Sequence, residues 1–159
     1  MKRQQGPYPN PGFGKQVGGA FIPPMIDIIS GELTTASLGG RPLGIPLLSG
    51  IVRDVVLSVG NCGDPEHGKT VKLEADVFIN GTSCLSTKPS IQMTASGETG
   101  QQMTTITSGE TGVISAIINT SARSFSAGDV FTWKADVTRT SPDTEMKNAV
   151  ICVEVEPYV

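Results

Sequence analysis

Gly63-Asp64-Pro65-Glu66-His67-Gly68-Lys69-Thr70 is the stretch whose residue types and spacing come nearest to a reactive site. It satisfies the letters of G-x-x-x-x-G-K-[ST], a loop whose backbone N–H groups cradle phosphate at the start of a helix. The residues between the letters defeat that chemistry. Pro65 has no N–H to offer, Asp64 and Glu66 would repel phosphate, and Thr70 opens an alternating segment instead of a helix. His67 is the only histidine, so a hydrolytic triad would have to use it, and no G-x-S-x-G nucleophile elbow is present. Asp64, Glu66, Asp76 and Asp129 would hold Ca²⁺ only if separate loops converged, because EF-hand spacing is absent. The other carboxylates are scattered singly over strand surfaces and turns, with no pair for glycoside chemistry. Cys62, Cys84 and Cys152 show neither C-x-x-C nor histidine at zinc spacing, and the odd count reads as buried thiols. Cys152, inside the apolar run Ala149–Val153, is expected to be the least reactive of them. These residues predict a protein that is not an enzyme and carries no cofactor or metal.

The elements that would position any site are strands. In Val71–Ile79, Val71, Leu73, Ala75, Val77 and Ile79 fall on one side of a pleat and Lys72, Glu74 and Asp76 on the other. Asn80-Gly81 follows at once, the dipeptide suited to a type I′ hairpin turn because both positions take positive φ. Similar runs predict strands at Ile51–Val59, Thr70–Ile79, Thr82–Ser86, Ser90–Thr94, Met103–Thr107, Gly112–Ile118, Val130–Val137 and Ala149–Glu154, with a further one over Met25–Thr34. Phe131, Trp133, Ala135 and Val137 share a face, which makes the single tryptophan a core residue, and Ile151, Val153 and Val155 form the inward set of the last strand. The fold class predicted is all-β, an antiparallel β-sandwich of jelly-roll type with an extended N-terminal arm.

At 159 residues, with 38% hydrophobic and 17% charged residues, 19 Gly and 11 Pro, the chain suits one domain of many short strands. A net charge of −3 argues against a nucleic-acid partner. No apolar signal region follows Met1-Lys2-Arg3, and no run of about 18 apolar residues occurs, so neither export nor a membrane partner is expected. The sequons at Asn80 and Asn119 then read as incidental.

Three divisions are expected: an arm over residues 1–24, a first strand and connecting segment over 25–50, and the sandwich over 51–159. The arm has Gly6, Gly12, Gly14, Gly18 and Gly19 with Pro7, Pro9, Pro11, Pro23 and Pro24, so it forms neither helix nor core of its own. It is a disordered leader or a segment that orders on a neighbour; the spaced Tyr8, Phe13 and Phe21 favour the second. Residues 1–26 hold Lys2, Arg3 and Lys15 and no acid, so with −3 overall the remainder carries −6. The apolar run Pro42–Leu48 has more surface to hide than one small sandwich needs. Ser96-Gly97-Glu98-Thr99-Gly100 recurs as Ser108-Gly109-Glu110-Thr111-Gly112, either as two like turns or as two loops displayed to a partner.

The order of pieces from Val55 onward carries a resemblance. Val-Leu-Ser-Val-Gly (56–60), Leu-Glu-Ala-Asp-Val-Phe-Ile-Asn-Gly-Thr-Ser (73–83), Ser-Thr-Lys-Pro-Ser-Ile (86–91), Phe-Ser-Ala-Gly-Asp-Val-Phe-Thr-Trp-Lys-Ala-Asp-Val (125–137) and Val-Ile-Cys-Val-Glu-Val (150–155) stand in sequence. They resemble the small jelly-roll module of tailed-bacteriophage virion proteins, found on capsid decoration (cement) proteins, head fibres and tail-associated proteins. The resemblance implies a structural protein of the virion, made in the host cytoplasm and placed on the capsid exterior. It implies the major capsid protein as partner and a homotrimer as the assembly. On that reading Lys2, Arg3, Tyr8, Phe13, Lys15 and Phe21 form the capsid-contact arm, the cations steering it toward an acidic shell before the aromatics are buried. The alternative it leaves open is a head-fibre or tail module that recognises a host-surface glycan.

Overall fold

Apolar residues at every second position, interrupted by turn formers, build the structure from strands alone. The computed structural model describes residues 22–33, 37–63, 70–93, 102–106, 111–139 and 146–158, and among these there is no helix. The strands are β1 (Met25–Glu32), β2 (Ser37–Gly44), β3 (Gly50–Asn61), β4 (Val71–Ile79), β5 (Thr82–Ser83), β6 (Leu85–Thr87) and β7 (Ser90–Gln92). They continue with β8 (Met103–Thr104), β9 (Val113–Ile114), β10 (Ile117–Ile118), β11 (Ser124–Phe125), β12 (Phe131–Arg139) and β13 (Lys147–Pro157).

Every pairing is antiparallel. The first sheet runs β1-β13-β3, with β11 and β8 at opposite ends of the far edge of β3. The second runs β2-β12-β4-β7-β9, with β5 also beside β4, and β6 and β10 form a separate ribbon. The two sheets pack as a sandwich whose core comes from their inward sets. Val52, Val55, Leu57 and Val59 of β3 with Ala149, Ile151 and Val153 of β13 supply one wall. Leu73, Ala75 and Val77 of β4 with Phe131, Trp133 and Ala135 of β12 supply the other. Asn80 and Gly81 take φ of 49° and 83°, so the β4–β5 hairpin is the left-handed turn this dipeptide favours. Gly50 is needed for closeness: a Cβ there would strike the Glu156 carbonyl and the Phe125 ring.

The differences from the sequence expectation lie at the sheet edges. β1 and β2, set apart above as a first strand and connecting segment, are the edge strands of the two sheets. β2 escapes the alternation pattern because Gly39, Gly40 and Pro42 interrupt it, and its register with β12 shifts twice. An edge is where a strand tolerates proline. The run over 112–118 divides into β9 and β10, which pair with different strands. Cys62 and Cys84 are buried, but Cys152 is only half-buried. The inward placement of Ile151 and Val153 turns Cys152 to the outer face, so it is the most accessible thiol of the three.

Candidate functional site

Among the described residues, Asp27 and Asp76 each gather charged or polar partners, and each serves the packing of the strands around it. Asp27 on β1 points inward between the sheets. Its Oδ2 accepts from Trp133 Nε1 at 2.7 Å and from Arg41 Nε at 2.7 Å, while Oδ1 accepts from Arg41 Nη2 at 3.2 Å. The Arg41 guanidinium also lies 5.9 Å from the centre of the Trp133 ring. Burial pushes the Asp27 carboxyl up, but the hydrogen bonds from Arg41 and Trp133 outweigh it and hold the group below its ordinary value. The same bond raises Arg41. Without Asp27 the indole N–H of the fully buried Trp133 would lose its acceptor, a loss worth about 1–3 kcal/mol. The cluster is a clamp between β1, β2 and β12.

Asp76 is the second. The alternation puts it on the solvent face of β4, yet it is 5% exposed, accepting from Ser83 Oγ at 2.6 Å and pairing with Lys88 Nζ at 3.2 Å. That bond raises Lys88, and burial, with Asp76 adding to it, pushes the Cys84 thiol up to about 12. Both cysteine environments suppress thiolate, since Cys152 is also raised, first by burial and then by Glu154 and Asp54. Among the described residues no group of three His, Cys, Asp or Glu could hold a metal ion. Nor is any helix there long and apolar enough to cross a membrane.

The candidate site is an exposed apolar surface at the end of the sandwich where β2 passes to β3 and β11 to β12. Phe131 pairs with Gly44, which brings Ile45 beside Val130. The Ser126–Asp129 turn closes with Gly128 at φ 91°. Asp129 Oδ2 accepts from the Ser126 N–H at 2.7 Å and Oδ1 from Asn80 Nδ2 at 2.8 Å, while Asn80 Oδ1 accepts from the Val130 N–H at 2.9 Å. The Ser126 bond, then that from Asn80, keeps the Asp129 carboxyl below its ordinary value. The β2–β3 loop is tied to this turn: Gly128 N–H donates to the Pro46 carbonyl at 2.9 Å and Ala127 N–H to Ser49 Oγ at 3.1 Å. Tyr158 N–H donates to the Ser49 carbonyl at 2.9 Å and its hydroxyl to Ser124 Oγ at 2.9 Å.

The backbone of this end is thus well satisfied, while its apolar side chains are not covered. Leu47 is 87% exposed, and Ile45, Leu48, Val130 and Tyr158 are exposed with it. The sequence signal was the apolar run Pro42–Leu48; that Val130 and Tyr158 join it came only with the fold. Lys2, Arg3, Tyr8, Phe13, Lys15 and Phe21, the arm residues, lie outside the described residues. So do His67 with residues 64–69 of the phosphate-loop lookalike, and most of both copies of the repeat. Gly112, which ends the second copy, lines a shallow depression of about 250 Å³ with Lys72, Ser90, Gln92, Val113 and Ile114. No aromatic ring lines it, and Lys72 is paired with Glu74 at 2.8 Å.

Compared with protein families, with curated proteins and with solved structures, the chain matches none.

Proposed function

We propose that the chain is a non-enzymatic structural protein of a phage virion, a capsid decoration protein that binds the outside of the head as a trimer and cements it. The observation that carries the reading is the apolar end of the sandwich. Five hydrophobic side chains stand in water on loops whose backbone is hydrogen-bonded and braced. A solvated monomer gains nothing from such a surface, whereas an assembly gains about 25 cal/mol for each Å² of it that is covered. The order of jelly-roll segments from Val55 to Val155 and the cationic, aromatic arm support the same reading. Closed threefold symmetry would bring three such ends together and let three arms reach different capsomers.

Titration of empty phage heads with the purified protein tests it. Cosedimentation should saturate near stoichiometric occupancy, and Leu47→Asp should weaken it at least about tenfold with an unchanged thermal melt. A protein that ignores heads but binds bacterial cells would instead establish the glycan-recognising head-fibre or tail module, for which the depression beside Gly112 is the place to look. Sedimentation showing a strict monomer, free and on heads, would remove the trimer.

A further inference from the structure

The outer face of the first sheet carries apolar side chains that the core does not use. Across the register Ile26, Cys152 and Val56 make one row, and Ile28, Val150 and Ser58 the next. Ile26 and Ile28 are each more than half exposed. Beside these rows Glu154 lies directly opposite Asp54, and neither is ion-paired with another described residue. Like charges opposed across a strand pair repel. The face therefore asks for a cover that is apolar and positively charged at once.

Three strands about 4.8 Å apart and three rows of side chains span roughly 300 Å². A second copy packed face to face would need roughly 800 Å² from each partner, and it would set four carboxylates together. The chain itself holds a better match. Residues 1–21, outside the described residues, contain Tyr8, Phe13, Val17 and Phe21 with Lys2, Arg3, Lys15 and no acid. They join the sandwich immediately before Met25, the first residue of β1, which is the strand carrying Ile26 and Ile28. A tether this short sets a local concentration on the order of millimolar. Twenty-one residues can extend about 70 Å, several times the width of the face.

We propose that residues 1–21 fold back over the outer face of the chain's own first sheet, laying aromatic side chains on the stripe of Ile26, Ile28, Val56, Val150 and Cys152 and a cation against Asp54 and Glu154. This inference does not rest on the decoration reading. Where that reading holds, shell and sheet compete for one segment, which keeps its aromatics covered until the protein meets a head.

Cys152 is a built-in reporter, because it lies in the stripe while Cys62 and Cys84 are buried. Full-length protein is compared with two full-length variants, Tyr8→Ser/Phe13→Ser/Phe21→Ser and Lys2→Glu/Arg3→Glu/Lys15→Glu, by reaction with an uncharged maleimide. Both variants should label Cys152 at least about fivefold faster with unchanged circular dichroism, and salt should reduce the parent's protection. Equal rates in all three proteins overturn the proposal. As a second measurement, Val17→Cys in the full chain is treated with oxidised glutathione. A disulfide to Cys152 within one chain supports the proposal. A disulfide-linked dimer overturns it by making the occupant a second copy, and so does the absence of any disulfide to Cys152.

Discussion

The two outer faces of the sandwich cover the same core with different shares of charge: the first sheet has ion pairs at Arg53–Glu156 and Lys147–Glu32 around an apolar stripe, the second a charged ladder. On the second sheet Lys72 pairs with Glu74 at 2.8 Å, Lys134 with Asp136 at 2.9 Å and Lys88 with Asp76 at 3.2 Å. Lys134 also stands opposite Asp76, and the opposed acids Glu74 and Asp136 are each neutralised by a lysine two residues away on their own strand. That face is complete in water. On the first sheet the same positions hold Ile26, Ile28, Val56, Val150 and Cys152, with two opposed acids beside them. Alternation demands an apolar residue only on the inward side, so the outward apolar residues of β1, β3 and β13 are surplus to the core. The lesson is that one face finishes a monomer and the other waits for a cover.

The largest effect that would sharpen the contrast belongs to Asp76. Asp76→Ala should cost about 2–3 kcal/mol in urea denaturation, because it strips Ser83 and Lys88 of a nearly buried acceptor. A loss below about 0.5 kcal/mol would mean the charged ladder is decoration. Next comes the edge where the two sheets meet. Asp27→Asn should cost about 1–2 kcal/mol at pH 7. Because the folded-state carboxyl of Asp27 is depressed, its contribution is fully present above its unfolded value, 3.8, and is lost as pH falls through the lower folded value. Parent and variant should therefore converge in stability at the acid end; a gap that persists there would assign the effect to packing.

Smaller still, Ile26→Thr with Ile28→Thr should change stability by less than about 1 kcal/mol while raising the labelling rate of Cys152. If this pair proves as costly as Asp76→Ala, the first face is structural after all. The smallest effect is electrostatic. Asp54→Asn removes one of the charges that raise Cys152, so its thiol should titrate lower and react faster at pH 8, by less than about threefold, with salt narrowing the difference. An unchanged rate at low salt would show that burial alone governs this thiol.

Much of the fold was legible in period-two alternation. The strands around Val71–Ile79, Phe131–Val137 and Ala149–Glu154, the buried Trp133 and the Asn80-Gly81 turn all follow from residue order, because a pleat assigns sides by parity. The same parity, applied to Ile151 and Val153, also turned Cys152 outward, against the expectation drawn from its apolar neighbours. Asp76 went the other way: parity placed it outside correctly, but Ser83 and Lys88 close over it. Less of the candidate surface was legible, since Pro42–Leu48 announced apolar excess without saying which loops would stand beside it.

Residue order by itself determined an all-β antiparallel chain, which side of each long strand feeds the core, and a cationic, aromatic leader with no acid of its own. Only the tertiary structure decided that Asp27 meets Arg41 and Trp133, partners 14 and 106 residues away. It also decided that Ser49, Asp129 and Tyr158 brace one apolar end, and that Ile26, Cys152 and Val56 line up in a single row. Each of these depends on which strands become neighbours and in what register. Alternation is blind to that, because every amphipathic strand offers the same pattern to every possible partner.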